Sequence, residues 1–160
     1  MKNEILSRVN NFNFLGLIID NQLNWKQHVQ HVANKISRTA GILSKLKYTL
    51  PSNILLMIYN SLICSHLNYC LLIWGTNTNR LFKVQKKAIR AVTHSKYVAH
   101  TDPLFKKLNL LKLPNMYEVQ LCRLYYKLEN NNLPQYFNNI YQNWIMRIWC
   151  GYHNWYSFQI

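Results

Sequence analysis

The apolar pattern changes period once, near residue 20. Ahead of that point, residues 12–19 read Phe-Asn-Phe-Leu-Gly-Leu-Ile-Ile, an aromatic and branched run closed by the turn residues Asp20 and Asn21. Such a run predicts a buried strand, with residues 5–9 as its candidate hairpin partner across Asn10-Asn11. Beyond it, Trp25, Val29, Val32, Ile36, Leu43 and Leu46 recur at helical spacing and predict a helix over residues 25–48. Asn24 is the expected N-cap, with Gln27 in the capping-box position. Pro51 is placed to open a helix over residues 53–63, and the apolar run continues through 67–74 to a stop at Gly75. Leu81, Val84, Ala88 and Val92 form the apolar stripe of a helix over 77–93. Thr101-Asp102-Pro103 starts a short helix through 108. Asn115 and Glu118 make a capping box for 116–129, and Pro134 opens a last turn. The expected fold is therefore mainly α, a short N-terminal β-hairpin followed by five or six helices.

Composition changes what this fold can do. The 160 residues carry 19 Lys and Arg against five Asp and Glu, a formal charge of +14. The acids are Glu4, Asp20, Asp102, Glu118 and Glu129, scattered along the chain. Two-metal phosphoryl transfer, glycoside cleavage by an acid pair and EF-hand calcium binding all need clustered carboxylates. No such cluster can be built from neighbours here, so no catalytic residue and no metal ligand is assigned, and no cofactor is expected. A surplus of this size on one domain seeks a polyanion, nucleic acid first and anionic membrane surface second.

The same reading sets other sites aside. Cys64, His66 and Cys70 could meet a metal, but they sit in an apolar run where thiols are ordinary packing residues. His28 and His31 share a helix without a third ligand and read as surface imidazoles. No GxGxxG, GxxxxGK[ST] or GxSxG frames a phosphate loop or a nucleophile. From 48 to 79 there is no charged residue. Even so, Asn60, Ser61, Ser65, His66 and Asn68 interrupt the centre of the run, so buried helices are expected there and not a membrane span. The polar residues 1–10 do not resemble a secretion signal. An intracellular protein, nuclear or cytoplasmic, is the expectation.

The strongest electrostatic signal lies on the 77–93 helix. Lys83, Lys86, Lys87 and Arg90 stand at i, i+3, i+4 and i+7 and share one face, which Arg80 extends by a turn. These five cations, with no acid between Asp20 and Asp102, are the candidate nucleic-acid contacts.

Several segments together resemble a known family. Phe14-Leu15-Gly16-Leu17-Ile18-Ile19-Asp20 with Leu23-Asn24-Trp25 and His28 is one. Others are Leu56-Met57-Ile58-Tyr59-Asn60-Ser61-Leu62-Ile63, then Leu67-Asn68-Tyr69-Cys70 ending in Trp74-Gly75. Gln85-Lys86-Lys87-Ala88 and His100-Thr101-Asp102-Pro103-Leu104-Phe105 continue the order. The series resembles the region after the catalytic palm in reverse transcriptases of jockey-like non-LTR retrotransposons. The resemblance implies a residual palm hairpin over 1–24, a thumb-like helical domain over 25–137 and a divergent aromatic tail over 138–160. It implies that Phe14, Leu15 and Gly16 correspond to a primer grip, with Gly16 leaving room for a nucleic-acid backbone. The family's aspartate pair, fingers and most of the palm are missing. The resemblance therefore implies a fragment of an RNA-directed DNA polymerase that binds an RNA–DNA or DNA duplex and is no enzyme on its own. Mg²⁺ belongs only to the intact parent, and a separate palm and fingers segment is a further expected partner. The alternative is a helical module that binds a protein or membrane through residues 54–74.

Overall fold

The computed structural model describes residues 9–76, 78–130 and 132–134. Two short strands, β1 (Asn11–Phe14) and β2 (Leu17–Asp20), pair antiparallel with Phe14 opposite Leu17. The hairpin is thus made inside the run expected to be one strand, and the proposed partner lies almost wholly outside the described residues. The reason is Leu15-Gly16. Both residues take positive φ, 48° and 84°, as a two-residue type I′ turn demands. Gly16 adopts that conformation without cost, whereas Leu15 is held there against its steric preference.

Helices follow: α1 (Lys26–Leu46), α2 (Ser52–Ile58), a wide-turn π segment (Tyr59–Cys64), α3 (Ser65–Asn68), α4 (Leu71–Trp74), α5 (Asn79–Val92), α6 (Asp102–Lys107) and α7 (Leu113–Glu129). The fold is mainly α with an N-terminal two-stranded hairpin, as the periodicity predicts. No helix among the described residues is long and apolar enough to cross a membrane. The chain divides into two compact units after Tyr117, within α7. The second unit's described part is the remainder of α7 and a few residues beyond it.

The core of the first unit is built on α1 and α5, which pack along each other. Ile36, Ala40 and Leu43 of α1 and Leu81, Ala88, Ile89 and Val92 of α5 are fully buried. Each large aliphatic side chain so buried is worth roughly 2 kcal/mol, against about 1 kcal/mol for a helix cap. Tertiary burial, more than local capping, therefore holds this pair. Ala40 and Ala88 are fully buried at the small-residue positions of the two helices.

The long apolar run from 52 to 74 forms the next layer. Leu55, Tyr59, Ile63, Leu67 and Leu71 are all buried at a strict spacing of four. An ordinary α-helix turns about 400° in four residues, so such a stripe drifts about 40° per step. The π segment at Tyr59–Cys64 widens the turn and returns the stripe to one face. Ser61 and Asn68 donate back to the carbonyls of Met57 (2.9 Å) and Cys64 (3.0 Å), which suits a loosened ladder. The helix predicted over 53–63 is thus longer and interrupted. The run breaks at Tyr69-Cys70, where Cys70 takes a φ of 50°.

Three expected termini are made differently. Asn24 does accept the Lys26 amide (3.0 Å), but the main cap is Asp20. Its carboxylate accepts the amides of Gln22 (3.1 Å), Asn24 (3.2 Å) and Trp25 (3.0 Å), tying the end of β2 to the start of α1. Burial alone would raise this carboxyl's pKa; the three amides outweigh it and hold it below the usual range. Gly75 is not a left-handed stop, since its φ is −71°. It is needed because a Cβ there would fall into the ring of Tyr117 and within 2.5 Å of the Leu71 carbonyl. Finally, α7 begins at Leu113, so Asn115 and Glu118 are not its capping box. The cap comes from Gln85, 28 positions upstream, whose Oε1 accepts the Leu113 amide at 2.9 Å.

Candidate nucleic-acid interface

On α5 the buried face runs through Leu81, Gln85, Ala88, Ile89 and Val92. Val84, expected in the stripe, lies at its margin, and the fully buried Gln85 takes the centre. Its Nε2 donates to the Tyr59 hydroxyl (3.0 Å) and the Leu111 carbonyl (3.1 Å), so the amide is satisfied on both ends. Burial pushes the Tyr59 phenol up to about 12, against a smaller downward pull from Gln85, so this network stays neutral at ordinary pH. Sequence reasoning missed Gln85 because its partners are far away along the chain. The available signal was a Gln standing where the apolar period wants a Leu.

Opposite that face the helix presents Arg80, Lys83, Lys86, Lys87 and Arg90. At 100° per residue these five fall within an arc of about 120°, and from Arg80 to Arg90 they span about 15 Å of axis. That length covers about four phosphates at the 3.4 Å rise of one strand. The five differ in what holds them. Arg80 donates to Gln30 of α1 through Nη1. Lys86 lies 4.3 Å above the Phe82 ring, and its charge helps to lower the pKa of Asp102, after the larger effect of Lys112. Lys112 and Asp102 form an ion pair at 2.9 Å. The ridge therefore does have an acid nearby, which distance along the chain concealed. Arg90 is half-buried, donating from Nε to the Ala99 carbonyl at 2.9 Å. Lys83 and Lys87 are exposed and make no hydrogen bond or ion pair among the described residues.

The hairpin carries the other group. Phe14 is half exposed, Leu15 is 75% exposed and Gly16 lies at the surface. The Tyr69 hydroxyl donates to the Leu15 carbonyl, and the Tyr69 ring is the nearest neighbour of the space beside Gly16, at 4.0 Å. Leu17 and Asp20 are buried and anchor the strand beneath. Both candidate groups rest on α1, the hairpin through β2 and the ridge through α5. No hydrogen bond or ring contact among the described residues joins one group to the other.

His28 is the residue most misjudged from sequence. It is 2% exposed, its Nδ1 accepts the Ile18 amide at 3.3 Å, and its ring meets Trp74 edge-on at 5.5 Å. Its Nε2 has no hydrogen-bond partner among the described residues. Burial first, then the charges of His31 and Lys35, lower its pKa and keep it neutral. It is a core residue that docks the hairpin, while His31 remains exposed as expected. Cys64 is half-buried with its thiol pushed up by burial, and Cys122 is exposed. Among the described residues no three His, Cys, Asp or Glu side chains gather in a way that could hold a metal. The turn expected from Pro134 and the aromatic tail from 138 fall on residues from 135 onward, which lie outside the described residues. Compared with known protein families, curated proteins and solved structures, the chain matches none.

Proposed function

We propose that this chain binds nucleic acid through the outer face of α5, as a thumb-like fragment of a non-LTR reverse transcriptase that carries no polymerase activity of its own. The observation that carries this reading is the five-cation ridge of Arg80, Lys83, Lys86, Lys87 and Arg90 on one surface, with Lys83 and Lys87 left unanswered by any acid among the described residues. Unanswered like charges on a helix repel, and phosphates relieve that repulsion. The hairpin turn at Phe14, Leu15 and Gly16 is the proposed primer-contacting element, its apolar side chains offered to solvent. Five scattered acids supply too few carboxylates for a two-metal centre, so a parent polymerase would bring its own palm, fingers and Mg²⁺.

The test is binding of an RNA–DNA hybrid across a salt series. A steep log–log slope is expected, and Lys83→Gln with Lys87→Gln should flatten it by about 0.9 for each duplex phosphate no longer neutralised. An unchanged slope would remove α5 from the interface.

A second reading has one observation in its favour. Met57 (66%), Leu62 (49%) and Ile73 (48%) are exposed on the 52–74 layer, as a protein- or membrane-binding face would be. Binding that depends on detergent or vesicles, with none to the hybrid, would favour it.

A further inference from the structure

We propose that the far end of the basic ridge is a pocket for one unpaired nucleotide, its phosphate held by Lys47, Lys87 and Arg90 and its base stacked on Tyr48 or Tyr97. The inference rests on the nucleic-acid reading above and adds to it a preference for a single-stranded extension.

A cavity of about 340 Å³ lies where the last turns of α1 and α5 meet the loop that follows α5. Lys47, Tyr48, Lys87, Arg90, Ser95 and Tyr97 are among its lining, which contains no carboxylate. Cations at helix C-termini have an ordinary purpose, since each helix end carries about half a negative charge. Two such ends offset about one of the three positive charges, leaving a surplus of about two. A phosphodiester can answer that surplus.

The pocket is also pre-shaped. Arg90 Nε donates to the Ala99 carbonyl (2.9 Å), and the Ser95 amide donates to the Arg90 carbonyl (2.9 Å). The hydroxyls of Thr93 and Ser95 meet at 2.8 Å. These bonds fasten the loop carrying Tyr97 onto the end of α5, so the guanidinium is fixed before any ligand arrives.

Its two rings are the decisive feature. Tyr48 is 83% exposed and Tyr97 80% exposed, although large rings gain most by burial. Each stands beside a cation, with Lys47 4.9 Å from the Tyr48 ring centre and Arg90 6.0 Å from that of Tyr97. A ring face beside a phosphate-binding cation is the pairing by which single strands are held, sequence-tolerantly, with bases stacked and backbone neutralised. Bases inside a duplex already have both faces stacked and cannot offer one. The cavity volume sits at the small end of ligand pockets and suits one nucleotide.

The experiment measures anisotropy of three labelled hybrids with the full chain. One is blunt, one carries a single-stranded extension of about four nucleotides, and one carries the same extension without bases. The extension should tighten binding by about tenfold, and the base-free extension should lose most of that gain. Tyr48→Leu combined with Tyr97→Leu should abolish the gain while leaving blunt-hybrid affinity and the melting midpoint unchanged. Equal binding of blunt and extended hybrids overturns the pocket alone. So does a full gain from the base-free extension, which would mean that phosphates alone are recognised. If no hybrid binds at all, the nucleic-acid reading falls and the pocket with it.

Discussion

Gln85 Oε1 and the Leu113 amide meet at 2.9 Å across 28 positions of sequence, so one side chain of α5 caps the start of α7. The Gln85 Nε2 meanwhile serves Tyr59 and the Leu111 carbonyl. Gln85→Leu keeps the volume and strands two buried polar groups, the Tyr59 hydroxyl and the Leu113 amide, each costing about 1–3 kcal/mol, while the part-buried Leu111 carbonyl is left to solvent. Loss of at least about 2 kcal/mol of unfolding free energy is expected, read from the denaturant midpoint. A loss below about 1 kcal/mol would mean that water or rearrangement satisfies those groups.

His28 makes stability depend on pH. A buried imidazole that accepts the Ile18 amide at Nδ1 must break that bond to take up a proton there. Its folded pKa is lowered beneath the 6.5 of a free imidazole, so the unfolded chain binds the proton more readily. The contribution is complete above the unfolded value and is lost as pH falls through 6.5 and below the folded value. His66 is shifted the same way by burial, so it contributes to the same slope. The melting midpoint should therefore fall as pH is lowered from about 7 to about 5, and His28→Gln should flatten that fall. An identical pH dependence in the variant would assign the effect to His66 or elsewhere.

The cations of the ridge should separate into two kinds. Lys83→Gln and Lys87→Gln remove charges that hold nothing in the fold, so each should reduce the salt slope by about 0.7–0.9. Their unfolding free energies should stay within about 0.5 kcal/mol of the parent. Arg90→Gln breaks the bond to Ala99, so it should lower hybrid affinity and melting midpoint together. Melting curves and salt titrations on the three variants give both readouts.

Two glycines predict opposite signs. At Gly75 a methyl group would strike the Tyr117 ring and the Leu71 carbonyl, so Gly75→Ala should cost about 1–3 kcal/mol. At Gly41, inside α1, a Cβ meets nothing within 4 Å. Gly41→Ala should instead gain up to about 1 kcal/mol from helix propensity. Chemical denaturation of both variants checks the pair, and a loss at Gly41 would show unseen crowding on α1.

What could be read from the sequence was whatever repeats locally. The stripe on residues 25–48 and the amphipathic 77–93 segment fall close to α1 and α5, because burial there follows one helical period. The five ridge cations were legible for the same reason, and they do share the outer face. Features closed by distant partners were not. Asp20 reads as a turn residue but caps α1, His28 reads as surface but packs against Trp74, and Gln85, legible only as part of the Gln85-Lys86-Lys87-Ala88 segment, organises two helices. The hairpin was misplaced because a positive-φ Leu15 is unfavourable by propensity, and tertiary support overrides that cost. The placement of Tyr48 and Tyr97 was invisible for a plainer reason: neither belongs to an apolar stripe, and only the fold brings them to one cavity.

The wide turn at Tyr59–Cys64 also makes the chain tolerant of length at one place. It accommodates one residue more than an α-helix would, so deleting a single residue there would restore an ordinary ladder. Leu55 and Leu67 would then be separated by about 1,100° of helical turn, which leaves both on the same side. Straightening the full-length run into an ordinary α-helix would instead carry Leu67 and Leu71 about 100° away from the interior. The hexapeptide can lose its spare residue and keep its facing; it cannot lose its wide turn alone.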